Sequence, residues 1–213
     1  MKKTAILTII SAAALMTGCG SDKFDFQDGD LLFEAGQSSA MTDAIIDATG
    51  NGAEIKFSHV AMIECCGDKQ FVIEATSKGG VRRIPLDEFL KDSGHDTNGR
   101  PMVAVYRLRN NDCGRAAVER AKTYLGLPYD YAFLPDNDAM YCSELVYESY
   151  LDTDGRHIFT SRPMTFKGAD GRYDKFWIEL FESLDMDIPE GVPGTNPQDM
   201  SKEEILDEVY RFF

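Results

Sequence analysis

Cys142 stands in Tyr141-Cys142-Ser143-Glu144-Leu145-Val146, at the point where an apolar periodicity begins, with His59 and Glu74 upstream. A helix N-terminus carries partial positive charge and unpaired N–H groups, so a thiol in its first turn is favoured as a thiolate and has an oxyanion donor beside it. Such a nucleophile needs a base within hydrogen-bond reach, and the base needs an acceptor that fixes its tautomer and stabilises the imidazolium. That chemistry is acyl transfer through a thioester. It requires no metal or organic cofactor. The other two histidines, His95 and His157, fall in polar, Gly-containing stretches and on no predicted rigid element.

The elements that must position these groups are legible from pattern. Residues 57–63 and 70–76 are β-rich runs joined by Cys65-Cys66-Gly67-Asp68-Lys69 and predict a hairpin. A turn centred between Cys66 and Gly67 puts His59 opposite Glu74 on one face, and a slip of one residue puts them on opposite faces. Further strands are predicted at 31–33, 81–84 and 102–108, which makes the sheet mostly antiparallel. Helices are predicted at 39–49, from an Asp112 cap to a Gly126 stop, from Cys142 through Tyr150, at 173–184, and from a Ser201/Glu204 capping box to Phe213.

Several acidic motifs carry plainer readings. Asp28 and Asp30 flank a glycine before a buried strand and read as a turn, and Glu64 is a strand-end carboxylate. Asp136-Asn137-Asp138 lacks the alternating ligands of a calcium loop and is expected to cap the Cys142 helix.

The chain has 213 residues and a formal charge of −14. It opens with Lys2-Lys3, an apolar stretch to Leu15 and then Met16-Thr17-Gly18-Cys19. The run is shorter than the roughly 20 residues of a spanning helix and reads as a lipoprotein signal peptide, residues 1–18, with Cys19 the lipidated first residue. Residues 19–27 are then a tether, and 28–213 a single domain with a C-terminal extension. Loss of Lys2 and Lys3 makes the charge more negative still, which disfavours nucleic acid as a partner. Cys65, Cys66, Cys113 and Cys142 have no CxxC spacing, so no structural zinc is expected. Export permits a disulfide between Cys113 and Cys65 or Cys66, although small apolar packing is the plainer role for all three.

Leu125-Gly126-Leu127-Pro128-Tyr129-Asp130-Tyr131 followed by Tyr141-Cys142-Ser143-Glu144-Leu145-Val146 resembles the NlpC-type papain-like hydrolases, in which a Pro-Tyr loop leads to the cysteine helix. Here His and Glu precede the Cys. That order, with Gly29-Asp30-Leu31-Leu32-Phe33 and Ser58-His59-Val60, is similar to the YiiX/YebB-like permuted papain fold, and the tail from Ile188 to Pro197 is similar to its lipoprotein members. The resemblance implies an α+β, permuted papain-like fold, an antiparallel sheet or small barrel packed against helices, with the nucleophile at a helix N-terminus.

It implies Cys142 as nucleophile, His59 as general base then acid, Glu74 as orienting carboxylate, and Tyr129 near the oxyanion. Two departures stand out: Tyr131-Ala132-Phe133 replaces the Trp-Gly-Gly that often follows the Tyr, and Glu144 stands where many relatives have Gly, which predicts a differently shaped cleft. The activity implied is a cysteine peptidase or amidase acting on a small peptide or peptidoglycan fragment in the cell envelope, at the outer membrane because Gly20 gives no inner-membrane retention signal. The alternatives are a lipid acyltransferase or ester hydrolase of the lecithin:retinol acyltransferase type, for which the sequence displays no clear apolar groove, and a binding module without turnover. In a lipoprotein-processing host, the full chain is expected to incorporate radiolabelled palmitate and partition with membranes, and Cys19→Ser to do neither.

Overall fold

Along β1 (Leu31–Glu34) successive side chains leave on opposite faces of a sheet, and helices or chain segments cover both. Leu31 and Phe33 enter the larger core, while Leu32 enters a smaller one. The same alternation runs through β2 (His59–Cys66), β3 (Lys69–Thr76), β4 (Gly80–Pro85) and β5 (Val103–Leu108). This computed structural model describes residues 24–50 and 52–213. The expected signal peptide and Cys19 lie outside the described residues.

All strand pairs in the main sheet are antiparallel, and its order is β4-β3-β2-β1-β5, closed on the far side by a terminal strand. The sheet is open, with β4 at one edge. The permuted papain-like, α+β architecture is present. On the larger-core face pack α1 (Ala40–Thr49), α3 (Gly114–Thr123), α4 (Cys142–Ser149) and α5 (Lys175–Ser183). On the other face lies α2 (Leu86–Asp92), with Phe89 in the smaller core. Phe24 and Phe26, within the expected tether, also pack there.

Ser39 caps α1 as expected, accepting the Thr42 N–H at 3.1 Å. Other boundaries differ. α2 was not foreseen, although Pro85 before it, Asp87 and Glu88 in its first turn and Lys91 in its last are ordinary helix signals; at seven residues it offers too few turns for a periodicity. α3 begins one residue after Cys113, not at an Asp112 cap, and the loop before it is tied to the start of the sheet, where Asn111 Nδ2 donates to the Asp28 carbonyl at 3.0 Å.

The expected terminal helix is a strand. β8 (Leu206–Arg211) pairs with β5 at the sheet edge, sending Leu206 and Val209 into opposite cores. Backbone groups of β5 that would otherwise face solvent on that side take this segment up. Ser201 and Glu204 form no capping box; the nearby helix is the short α6 (Pro197–Met200), capped by Asn196 on the Asp199 N–H at 2.8 Å. A two-residue ribbon, β6 (Arg162–Pro163) with β7 (Pro193–Gly194), ties the C-terminal segment down.

Asp28 and Asp30 are structural, as read. Asp28 Oδ1 accepts the Cys65 N–H, and the fully buried Asp30 holds Arg107 through both of its oxygens at 2.6 and 2.8 Å. Glu64 pairs with Arg83 and Lys122. Cys65, Cys66 and Cys113 are free thiols.

One glycine positions the site. At Gly80 φ is +64°, and an added Cβ would collide with the Leu127 carbonyl oxygen. The adjacent Val81 exchanges backbone bonds with Leu127 and Gly126 at 2.8 and 2.9 Å, which pins the loop carrying Pro128 and Tyr129 to the start of β4. Gly80→Ala therefore meets both a left-handed backbone and a clash. It is expected to lower stability by about 2 kcal/mol or more, read as a shifted urea midpoint at unchanged slope.

Candidate active site

β1, β2, β3 and β4 carry a row of ionisable side chains on the α2 face, at the end of the sheet where its smaller core runs out. Glu34 pairs directly with His59, and Glu74 with Arg82. The hairpin turn is Gly67-Asp68, with Cys66 facing Lys69 and Met62 facing Ile73. In that register Glu74 meets Ala61 and sits diagonally from His59, two residues away from the expected opposition. Because the slip is even, both side chains keep the same face. The diagonal is within reach of long side chains, and His59 Nε2 meets Glu74 Oε2 at 2.6 Å.

Glu74 is 3% exposed. Burial alone would push its carboxyl up, but His59 and Arg82 hold it below the ordinary value. Arg82 places Nε at 2.8 Å and Nη2 at 2.7 Å from Oε1, leaving Oε2 to His59. Sequence reading missed Arg82. Its signal was the β4 alternation, which puts Arg82 on the same face as Ile84.

Burial would also lower His59, yet Cys142 and Glu74 overturn that effect and raise its proton affinity well above that of free imidazole. With Nε2 committed to Glu74, Nδ1 is the nitrogen left to serve the thiol. The ring also stacks on Phe89 at a centroid distance of 6.3 Å, which limits its rotation.

Cys142 comes from the other side of the sheet. α4 packs Leu145 and Val146 into the larger core, and its N-terminus carries Cys142, 5% exposed, into the cleft at the sheet's end. Tyr141 is the N-cap residue, and Glu144 reaches back to accept its N–H at 3.3 Å. Asp136, Asn137 and Asp138 do not cap this helix: Asn137 folds on its own loop, taking the Ala139 N–H at 2.9 Å. Glu144 lines neither cavity beside Cys142 and acts there through the backbone of Tyr141; burial pushes it up to about 8 against the pull of the Tyr141 N–H.

Tyr129 is 8% exposed and lines both cavities at Cys142. Burial, then the charge at Cys142, keeps its hydroxyl protonated far above the usual range, so it remains a donor. Asp130, accepting the Ala132 and Leu134 N–H groups at 2.8 and 2.9 Å, shapes the loop after it. His95 and His157 are exposed and line neither cavity at Cys142; His157 stacks on Tyr147 at 3.9 Å.

Two cavities meet at Cys142, sharing Ile45, Ser58 and Tyr129. One, of about 110 Å³, has an apolar wall that includes Phe133, Met164, Phe166, Trp177 and Met200. Sequence reading found no such groove, because its residues come from seven separated segments and share no periodicity. Thr195 closes one side, its N–H donating to Tyr141 Oη at 3.1 Å. The other, of about 400 Å³, is polar and opens over Glu34, His59, Glu74 and Arg82. Among the described residues no group of three or more His, Cys, Asp or Glu is arranged to hold a metal ion.

Residues 25–210 match the family described as permuted papain-like amidase enzyme, YaeF/YiiX, C92 family. The chain is 31% identical over 173 residues to the uncharacterized protein YiiX of Escherichia coli K12, covering 81% of this chain and 80% of that one. It is 32% identical over 124 residues to protein OPG091 of Monkeypox virus, covering 54% of this chain and 64% of the viral one. The crystal structure of metalloprotein YiiX from Escherichia coli O157:H7 superposes with a TM-score of 0.70 at 25% identity, over 87% of this chain and 97% of that one.

The His59 and Glu74 shifts set opposite pH signs. The raised His59 contributes stability fully below the ordinary imidazole value, and loses it as pH rises through its raised one. The lowered Glu74 contributes above the ordinary carboxylate value, and loses it as pH falls through its lowered one. A thiol reacts with iodoacetamide as its thiolate, so a base that takes the thiol proton speeds the reaction. Iodoacetamide is therefore expected to alkylate Cys142 at least about tenfold faster in the wild type than in His59→Ala at neutral pH. Equal rates would show that His59 does not activate the thiol.

Proposed function

The chain belongs to the permuted papain-like amidase family of YaeF/YiiX type, and on that premise we propose that it is a thiol-dependent amidase that cleaves small peptides or cell-wall-derived peptides. The observation that carries the proposal is His59, bonded to the buried, Arg82-anchored Glu74 and opening on the same cleft as the thiol of Cys142. Cys142 Sγ attacks the amide carbon, and the carbonyl oxygen becomes an oxyanion. The first N–H groups of a helix have no intrahelical acceptor, so the Cys142 N–H is available to that oxygen, and Tyr129 Oη is the second donor. The C–N bond breaks as the His59 imidazolium gives its proton to the departing amine, leaving a thioester. Water then enters, His59 takes its proton, the acid leaves and the thiol is restored.

The signal peptide and Cys19 would hold this chemistry at the cell envelope, where stem-peptide fragments are at hand. The solved relative is described as a metalloprotein. Here the donor set nearest the thiol does not make a metal cage, since Glu74 is taken up by Arg82 and His59, and no step is routed through one.

A second reading, an acyl donor with an apolar chain cleaved as an ester or transferred, is favoured by the apolar cavity against Cys142. The thioester step is common to both. Incubation of wild-type protein with peptide amides and with medium-chain esters, followed by intact-mass measurement, is expected to trap an acyl adduct on Cys142 and to give no adduct on Cys142→Ala. Tyr129→Phe is expected to lower kcat by about 10- to 100-fold with little change in KM, since the lost bond forms only to the developing oxyanion. Free acid released from esters with amides left intact would favour the second reading over the first.

A further inference from the structure

Glu34 is the buried carboxylate that the mechanism above leaves idle. It ends β1 at 4% exposure, directly paired with His59 and on the same face of the sheet. Oε1 accepts the Gly94 N–H at 2.9 Å, and no Lys or Arg pairs with the group among the described residues. Removing a carboxylate from water without a cationic partner is costly. Burial accordingly pushes Glu34 up, and the charge of His59 only partly opposes that. Its side chain nonetheless lines the polar cleft of about 400 Å³ that also exposes His59 and Cys142.

His59 is the charged neighbour of Glu34, its Nε2 taken by Glu74, and the Lys and Arg side chains of that cleft are placed elsewhere. Arg82 is occupied by two contacts to Glu74. Lys78 is exposed at the β3–β4 turn, and three strand spacings separate β4 from β1, roughly 14 Å. On the Glu34 side the lining is Gln37, Ser39, Thr42, Asp92 and Ser93, an amide, hydroxyls and a carboxylate without a positive charge. The turn at Asp92 is fixed there, its carbonyl accepting Gln37 Nε2 at 2.8 Å.

We propose that the polar cleft beside Cys142 is a subsite for an ammonium group of the substrate, with Glu34 as the carboxylate that binds it. It takes a primary amine a few bonds from the scissile carbonyl, on the opposite side of Cys142 from the apolar cavity. The subsite deepens the amidase reading and rests on Cys142 as the reacting centre: an amide with an apolar acyl portion and an amine-bearing portion would fill both cavities. Transfer of the ammonium from water to Glu34 adds to the charge of His59 a cation that can bond the carboxylate directly.

The test is protection of Cys142 from iodoacetamide at fixed pH by pentylammonium or by 1-pentanol, which have equal chain length and differ in charge. In the wild type, half-protection by pentylammonium is expected at a concentration at least tenfold below that of pentanol. Glu34→Gln is expected to abolish the difference. Asp92→Asn, at the cleft rim, should reduce the preference only in part.

Equal protection by the two compounds in the wild type overturns the proposal, and that comparison stands even if Glu34→Gln fails to fold. A preference that survives Glu34→Gln overturns it as well. Protection requires no turnover, so a protein that binds pentylammonium selectively yet cleaves no amide would defeat the amidase reading alone.

Discussion

Glu74 places a negative charge where the sheet is otherwise apolar, and two partners on neighbouring strands keep it ionised. One is Arg82, directly opposite on β4; the other is His59, diagonal on β2. A buried carboxylate stripped of either partner would take up a proton or draw in water. The register of three strands is thus tied to one charge: a single-residue slip at either ladder would send Glu74 or a partner to the opposite face. With Glu74 fixed, the imidazole keeps one nitrogen occupied and presents the other to the thiol. Pocket shape, helix placement and loop anchoring act on a base that is already oriented.

The nucleophile reaches this base by another route. His59 and Glu74 belong to the face covered by α2, whereas α4 is seated on the face with the larger core. They meet only because His59 is the first residue of its strand and Cys142 the first of its helix, both at the sheet's end. Gly80 and the backbone exchange between Val81 and Leu127 bring Tyr129 to the same end. Element termini, where backbone groups are unpaired and packing is incomplete, converge there and leave the two cavities.

Much of this was readable from residue types. The Cys142 helix start, the 59–66 and 69–76 hairpin, the Ser39 cap and the inert roles of Asp28 and Asp30 follow from local rules, and local rules suffice where neighbours in sequence are neighbours in space. The membership of Arg82 and Glu34 in the site follows from strand pairings distant in the chain, which no periodicity displays. Residues 206–211 show the opposite failure. An apparent cap at Ser201 and mixed polarity read as helix, but the unpaired edge of β5 decided the outcome, and local propensity yields to such a partner. The apolar cavity escaped notice because it is assembled from α1, the Tyr129 loop, α5 and the tail, none of which is a hydrophobic run by itself.

The bond from the Thr195 N–H to Tyr141 Oη joins the tail of the chain to the residue beside the nucleophile. The thiol, base and carboxylate are complete by position 142, while much of the apolar cavity wall comes from residues 159–203. Chemistry and selectivity therefore occupy separate stretches of one polypeptide. A ribosome or a secretion channel that has released only the first three-quarters of it has released a reactive centre with one wall missing. In evolutionary terms, the tail can be exchanged or reshaped to receive a different acyl group while the row of charges across the sheet stays untouched.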